Sequence, residues 1–205
     1  MRGFEQIPWL YDATLALAER TGLKRWREWL CNGPPGRVLD LGCGTGRNLP
    51  LLPPGSVGLD PALDPLRRAR RRAPAARLVQ ARAEALPFRD ATFDTVVSGL
   101  VFCSVDDPKR GLGEVRRVLR SQGTLRMLEH VRSERPWRAW VQDLIQPAWT
   151  CVAGGCRPNR ATERIVEGAK FTIDRDTYRA QKNLRRFVAR PSSMGDQVAS
   201  RTPER

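Results

Sequence analysis

The chain has 205 residues, of which 40% are hydrophobic and 28% charged, so it is long enough to bury one substantial core. Its apolar runs fall well short of the roughly 20 residues that cross a bilayer, and its first residues lack the apolar core of a secretory signal, so we expect a cytoplasmic protein without a transmembrane segment. The net charge of +14 favours anionic partners, either nucleic acid or an acidic membrane surface. Only four of the 36 basic residues are lysines, however, and a GC-rich coding sequence would produce the same arginine bias.

The predicted elements begin with a helical N-terminal cover at 1–36, followed by one domain at 37–191 and a polar, disordered tail at 192–205. Near-continuous apolar strands alternate with helices, which predicts a parallel sheet with helices on both faces. Pro147 is expected to end the helix "WRAWVQDLIQ". Strands are predicted at "RVLDL", "SVGLD", "RLVQA", "TFDTVVSGLVF", "GTLRMLEHV", "FTIDRDTYRA" and "NLRRFVARP", and helices between the first five at 46–52, 62–73 and 107–120.

Several chemistries are disfavoured by what the sequence lacks. Five cysteines, an odd number without a C-x-x-C pair, argue against a disulfide framework and a zinc site. One histidine and scattered acids give no ligand cluster, so we expect no metal. The G-x-S-x-G elbow of serine hydrolases is absent as well.

The glycine-rich segment "VLDLGCGTGRN" (38–48) follows a strand and opens a helix, the context of a nucleotide-binding loop. The dinucleotide pattern would need glycine where Arg47 stands, and the carboxylate of Asp40 would repel a pyrophosphate. Asp40 is favourable beside a cationic ligand such as S-adenosylmethionine, which has an ammonium, a sulfonium and no phosphate. Asp60 ends the second strand, where an acid accepts both ribose hydroxyls of an adenosine.

Successive segments resemble class I S-adenosylmethionine-dependent methyltransferases with a type 11 domain. These segments are "VLDLGCGTGRN", "GLDP", "AEALPFRDATFDTVVSGLVFCSV" and "EVRRVLRSQGTLRMLEHV". Within that superfamily they resemble the ubiquinone and menaquinone biosynthesis group. The order of "LVFCSV", "LEHV" and "QPAW…GGC..NR.T" is most similar to the methyltransferase-like thiol S-methyltransferases. The resemblance covers about residues 7–190. It implies a Rossmann-like, doubly wound, three-layer αβα fold with seven strands, the last antiparallel.

The resemblance also implies roles for residues that match its motifs. Arg82 stands where such sequences often have an acid that bonds the adenine amine, so that contact must come from the backbone, from Glu84, or not at all. The implied cofactor-binding residues are Asp40, Gly42, Cys43 and Gly44 for the methionine end, Asp60 for the ribose, Pro61, Ala83 and Glu84 for adenine, Leu100 and Val101 for the methyl-donor site, and Tyr11 as an aromatic that closes over the cofactor.

Candidate residues for the chemistry lie farther along the chain. His130, the only histidine, ends the fifth strand, at the edge where open α/β sheets bind ligands; it is either a base that deprotonates a thiol or a structural hydrogen-bonding residue. Cys103 either faces the acceptor pocket or is a small buried side chain. Cys156, Asn159 and Arg160 of "GGCRPNR" are candidates for the acceptor mouth, and Trp140, Pro147 and Trp149 form either an apolar wall or plain core.

The sequence therefore predicts methyl transfer to a small, fairly apolar acceptor, with a thiol as the first choice. A quinone precursor or a phospholipid headgroup remains open, with peripheral membrane contact. An RNA methyltransferase would use the basic surface, but "SGLVF" stands where an N/D-P-P-Y/F-type motif is expected. A non-catalytic adenosine-binding scaffold would retain the same glycine loop and both acids.

Overall fold

The computed structural model of the protein describes residues 22–33, 36–152 and 155–192. Tyr11 and most of the predicted N-terminal cover lie outside the described residues, as does the tail beyond Ser192. Among the described residues, no helix combines the length and apolar character needed to cross a membrane.

Within the described residues, seven strands form one sheet in the order β3-β2-β1-β4-β5-β7-β6. The neighbours among β1 to β5 pair in parallel, and β7 pairs antiparallel with both β5 and β6. This arrangement confirms the doubly wound fold with an antiparallel last strand. The strands are β1 (Val38–Leu41), β2 (Val57–Asp60), β3 (Arg77–Gln80), β4 (Phe93–Gly99), β5 (Leu119–His130), β6 (Phe171–Gln181) and β7 (Leu184–Pro191).

Helices cover both faces of the sheet because neighbouring strand residues point to opposite sides. In β4, for example, Val96 joins one buried apolar cluster with α3 and α5, while Val97 joins the other with α1 and α2. Both valines are at most 1% exposed, the pattern expected of a sheet buried on both faces. The helices are α1 (Lys24–Cys31), α2 (Leu63–Arg72), α3 (Pro108–Val118), α4 (Pro136–Val152) and α5 (Thr162–Gly168), with a 3-10 turn at Leu49–Leu51.

Three predicted boundaries differ from the structure. The helix expected at 46–52 is only the 3-10 turn, which contains Pro50 and is followed by Pro53. Strand β4 ends at Gly99 rather than at 102, because Leu100 adopts φ +61° and turns the chain. Strand β5 begins four residues before Gly123, continuing directly from the end of α3.

The expectation that Pro147 ends its helix is wrong, because α4 continues to Val152. Proline removes one backbone donor, so the carbonyl four residues earlier, on Asp143, loses its usual helical partner. This part of α4 lies at the surface with both residues exposed, which leaves that carbonyl accessible to water.

Candidate functional site

Four parallel strands deliver their last residues to the same edge of the sheet. They are Leu41 of β1, Asp60 of β2, Gly99 of β4 and His130 of β5. The strand order reverses direction between β1 and β4, and open α/β sheets bind ligands at the carboxyl edge beside such a switch point.

The three glycines after β1 have different roles. All adopt positive φ, but a methyl group added at Gly42 would lie 2.5 Å from Val101 Cγ2, and one at Gly46 would lie 2.8 Å from the Ala69 Cα. At Gly44 no described atom lies within 4 Å of that position. Protein packing therefore requires Gly42 and Gly46, whereas Gly44 borders open space in which a ligand could contact the backbone.

Asp40 is completely buried one residue before the end of β1. Its Oδ1 accepts a hydrogen bond from Asn48 Nδ2 at 2.9 Å, and Asn48 Oδ1 accepts one from Arg27 Nη1 at 2.6 Å. No described residue donates to Asp40 Oδ2, and burial raises the pKa of this carboxyl to about 7. A buried acceptor without a partner is costly, so Asp40 fits a cationic ligand that would donate to it.

Asp60 connects the end of β2 to the glycine loop. Its Oδ2 accepts from the Gly44 backbone N–H and its Oδ1 from that of Ala62, both at 2.9 Å. Burial raises its pKa, while these two hydrogen bonds act in the opposite direction. Each carboxylate oxygen retains a second acceptor site, which suits the two hydroxyls of a ribose.

Two predicted cofactor residues already have partners within the protein. The Cys43 thiol packs against Gly58, its N–H bonds to the Leu59 carbonyl, and burial raises its pKa. Glu84 Oε1 accepts from the backbone N–H groups of Asp106 and Asp107 at 3.1 and 3.3 Å. These contacts favour structural roles for both side chains.

Arg82 and Ala83, in the region predicted to bind adenine, are likewise held by contacts within the protein. The Arg82 guanidinium forms ion pairs with Asp106 and Glu84, so it stabilises the loop at Asp106 and Asp107 that Glu84 also contacts. Ala83 is buried in the core, and Pro61 is exposed just beyond β2.

The turn after β4 is held by a buried carboxylate that sequence reasoning missed. Leu100 has φ +61°, a strained conformation for a bulky residue. Glu129 Oε1 accepts from the Val101 and Phe102 backbone N–H groups at 2.9 and 3.0 Å, and from Ser98 Oγ at 3.1 Å. Glu129 is fully buried, and burial raises its pKa to about 7.

Four predicted residues come together beyond this turn, and we call them the thiol cluster: Cys103, His130, Trp149 and Cys156. The two cysteines pack against each other and are only 2% and 5% exposed. His130 and Trp149 lie beside the Cys156 sulfur, and together with Cys103 they lower its pKa to about 5 against the effect of burial. The Cys103 thiol donates to the Leu100 carbonyl at 3.6 Å, and the adjacent Cys156 together with burial raises its pKa. Of the two cysteines, Cys156 is therefore the one whose ionised form the surroundings favour.

The other two predicted acceptor residues stabilise the surrounding chain. Arg160 Nη1 donates to the carbonyls of Phe102 and Val105 at 2.5 and 2.6 Å, which fixes the segment around Cys103. Asn159 Nδ2 donates to Asp143 Oδ1 at 2.9 Å, on α4. Arginine and asparagine supply the donors that these carbonyl and carboxylate acceptors require.

The described residues line two notable concavities, one beside the glycine loop and one far from it. A cavity of about 30 Å³, which is close to one water molecule in size, lies between α1 and the glycine loop and is lined by Arg27, Asn48 and Leu100 among others. An open cleft of about 760 Å³ lies at the opposite end of β5, beside Leu119 and Lys170, away from both acids and the thiol cluster. The described residues contain no group of three or more His, Cys, Asp or Glu side chains placed to hold a metal ion.

The strand order, the glycine loop after β1 and the acid after β2 define the Rossmann-like class of α/β ligand-binding proteins. Residues 39–127 match the family model "Methyltransferase domain". The human thiol S-methyltransferase TMT1A is 33% identical over 175 residues, which cover 80% of this chain and 71% of the relative. The chain belongs to the methyltransferase family that this domain defines.

Two further comparisons bear on the fold and on length. The human thiol S-methyltransferase TMT1B is 38% identical over 154 residues, 68% of this chain, and the match spans about three-fifths (62%) of that relative's length. A crystal structure from Thermotoga maritima, described as a SAM-dependent methyltransferase and possible histamine N-methyltransferase, superposes with a TM-score of 0.72 at 19% identity. That superposition covers 92% of this chain and 98% of the other, and it shows the shared fold.

Proposed function

We propose that the protein transfers a methyl group from S-adenosylmethionine to a small, apolar thiol. The observation that carries this proposal is the thiol cluster, which lies directly beyond the Leu100–Val101 turn. Val101 packs against Gly42 of the glycine loop, and Cys103 of the thiol cluster follows Val101 by only two residues. The thiol cluster therefore lies close to the glycine loop. A donor at the loop and an acceptor at the cluster would meet at this turn, as an in-line displacement requires.

The glycine loop and the two acids would hold the cofactor. The unpartnered Asp40 Oδ2 would accept from the ligand's ammonium, Asp60 would bind the ribose hydroxyls, and Gly44 would leave room for the ligand at the backbone. When bound, S-adenosylmethionine supplies a methyl carbon that its sulfonium makes electrophilic. The strained Leu100 turn, clamped by Glu129, would line the space between methyl donor and acceptor.

The thiol cluster would remove the acceptor's proton. A thiol reacts as its thiolate, and a protein thiol ionises near pH 8.5, so a nearby base raises the reactive fraction at neutral pH. His130 is half-buried at the end of β5 and lies beside Cys156. It would take the proton and later release it to water. The acceptor thiolate then forms its S–C bond as the methyl–sulfonium bond breaks, leaving a thioether and S-adenosylhomocysteine.

The first test incubates the purified protein with methyl-labelled S-adenosylmethionine and separate acceptors: an alkyl thiol, a hydroquinone, phosphatidylethanolamine vesicles and RNA. We expect label in the thiol product. Label only in the quinol, the lipid or the RNA would reject the thiol while retaining methyl transfer. Cofactor binding with no labelled product from any acceptor or from cell extract would favour the non-catalytic scaffold.

Two cysteine substitutions provide a matched comparison inside the thiol cluster. Cys156→Ser removes the thiolate that His130 and Trp149 contact, whereas Cys103→Ser changes the neighbour that stays protonated. We expect turnover to fall about tenfold more in Cys156→Ser than in Cys103→Ser, with cofactor affinity unchanged in both. Equal losses would mean that the pair matters only through packing.

A further inference from the structure

Helix α4 faces the protein with three uncharged polar side chains and one alanine. Ala139, Gln142, Gln146 and Thr150 recur at spacings of three and four residues, so they form one stripe. They are also the side chains of α4 that are buried or half-buried among those described. The usual arrangement, with an apolar stripe toward the core, is therefore inverted.

Hydrogen bonds fix this orientation. Gln142 Nε2 donates to the carbonyls of Val131 and Pro158 at 3.2 and 3.1 Å, and its Oε1 accepts from the Ser133 N–H at 2.7 Å. Thr150 Oγ1 donates to the Cys156 carbonyl at 3.2 Å. If the apolar side of α4 turned inward, these hydrogen bonds would break and the backbone groups that Gln142 and Thr150 now contact would be covered without a partner. The polar residues of the α4 sequence therefore determine which side of the helix faces the protein.

The opposite side of α4 is an exposed apolar surface, which we call the outer face: Trp137, Trp140, Val141, Leu144 and Ile145. Trp140 and Leu144 are 64% and 65% exposed. The described residues include eight large hydrophobic side chains that are exposed, and six of them lie on α4. An apolar surface this concentrated indicates a binding partner.

We propose that the outer face docks onto the surface of an anionic lipid bilayer. Tryptophan rings combine an apolar body with a polar N–H, which suits the boundary between headgroups and acyl chains. Arg135 and Arg138 are exposed at the start of the helix, with Arg138 stacked over Trp137 at 5.0 Å, where they would meet acidic headgroups. The chain's net charge of +14 adds long-range attraction to such a membrane.

The docked orientation would also serve the acceptor site. Trp149 continues the exposed side of α4 and contacts Cys156 in the thiol cluster. Bilayer docking would thus place the thiol cluster next to the lipid phase, from which apolar acceptors would enter. This last step rests on the proposed function, whereas bilayer docking itself does not.

The test is flotation of the full chain with vesicles of phosphatidylcholine, alone or mixed with phosphatidylglycerol. We expect binding to the mixed vesicles and weaker binding as salt is raised. Leu144→Asp places a charge in the middle of the outer face and should weaken partitioning about tenfold. Leu63→Asp is the matched control, because Leu63 is an exposed leucine on a different helix, α2 (52% exposed, against 65% for Leu144); this variant should bind like the unmodified chain.

Four results would overturn the proposal. The unmodified chain could fail to float with anionic vesicles, or Leu144→Asp could float as well as Leu63→Asp. Leu144→Asp could also convert a dimer to a monomer, or lower the unfolding midpoint when Leu63→Asp does not, which would assign the outer face to a second copy or to residues 1–21. Methyl transfer to a water-soluble thiol should be unchanged in Leu144→Asp, so failure of bilayer docking and failure of the proposed function are separate results.

Discussion

The carboxyl edge of the sheet has two halves, which we name after the roles proposed above: the cofactor half, formed by β1 and β2, and the acceptor half, formed by β4, β5 and α4. The hydrogen bonds that build the two halves span different distances along the sequence. In the half formed by β1 and β2, Asn48 bonds Asp40 eight residues away, and Gly44 bonds Asp60 sixteen residues away. In the half formed by β4, β5 and α4, Arg160 reaches back 58 residues to Phe102. Short-range contacts leave a compact motif in the sequence, whereas long-range contacts leave scattered residues whose partners only the fold identifies.

The largest effect should come from the acceptor half. His130→Gln removes the candidate base, and loss of a general base typically costs about 10²–10⁴-fold in turnover. The affinity for S-adenosylmethionine should stay unchanged, because we propose that the other half holds the cofactor. Turnover with a thiol acceptor across pH 6–9, together with calorimetric binding of the cofactor, checks both statements. A variant with wild-type turnover throughout that range would remove His130 as the base.

The next effect joins the two halves at Gly42. Gly42→Ala forces a methyl group against Val101 at positive φ, and we expect a loss of about 2–4 kcal/mol in the free energy of unfolding. The double variant with Val101→Ala should recover part of it, because the overlap is relieved and the backbone strain is not. Urea denaturation measures both.

Gly44→Ala is the control for that change. It meets no described atom, so it should lose only about 1–2 kcal/mol from its conformation. If a ligand occupies the open space, this variant should lose more cofactor affinity than stability. Unchanged affinity would place the ligand elsewhere.

The cofactor half could be predicted from the sequence more fully than the acceptor half, because its hydrogen bonds join residues closer together along the chain. The sheet, the glycine loop and the positions of Asp40 and Asp60 were predictable, because strand periodicity and local spacing determine them. The continuation of α4 through Pro147 was not, because the exposure of that helix is a tertiary property. Glu129 lay within a recognised motif, but its role depends on backbone N–H groups that a strained turn presents 27 and 28 residues away.

A pH titration of stability tests the buried clamp of the acceptor half. The pKa of Glu129 is raised from 4.5 to about 7, so its contribution to stability is complete below pH 4.5 and is lost as the pH rises to about 7. Glu129→Gln removes this dependence, and the variant should gain about 2–3 kcal/mol relative to the unmodified chain between pH 4.5 and pH 8. Urea denaturation at several pH values measures the difference. A constant difference would mean that Glu129 is ionised throughout this range.

Asp40 is the corresponding buried carboxyl in the cofactor half, and its ionisation should be linked to ligand binding. Burial raises the pKa of Asp40 to about 7, so without ligand its stabilising contribution is also lost as the pH rises from about 4 to 7. A ligand ammonium would favour the ionised form, so cofactor affinity should rise between pH 6 and pH 8 with release of a proton. Asp40→Asn should weaken binding about tenfold at pH 8 and remove that rise, since a neutral amide lacks the charge-assisted hydrogen bond. Calorimetry in two buffers of different ionisation enthalpy counts the proton, and binding without proton release would show that the ammonium is held elsewhere. Glu129→Gln should leave this binding linkage intact, because Glu129 acts on the turn and not on the ligand's ammonium.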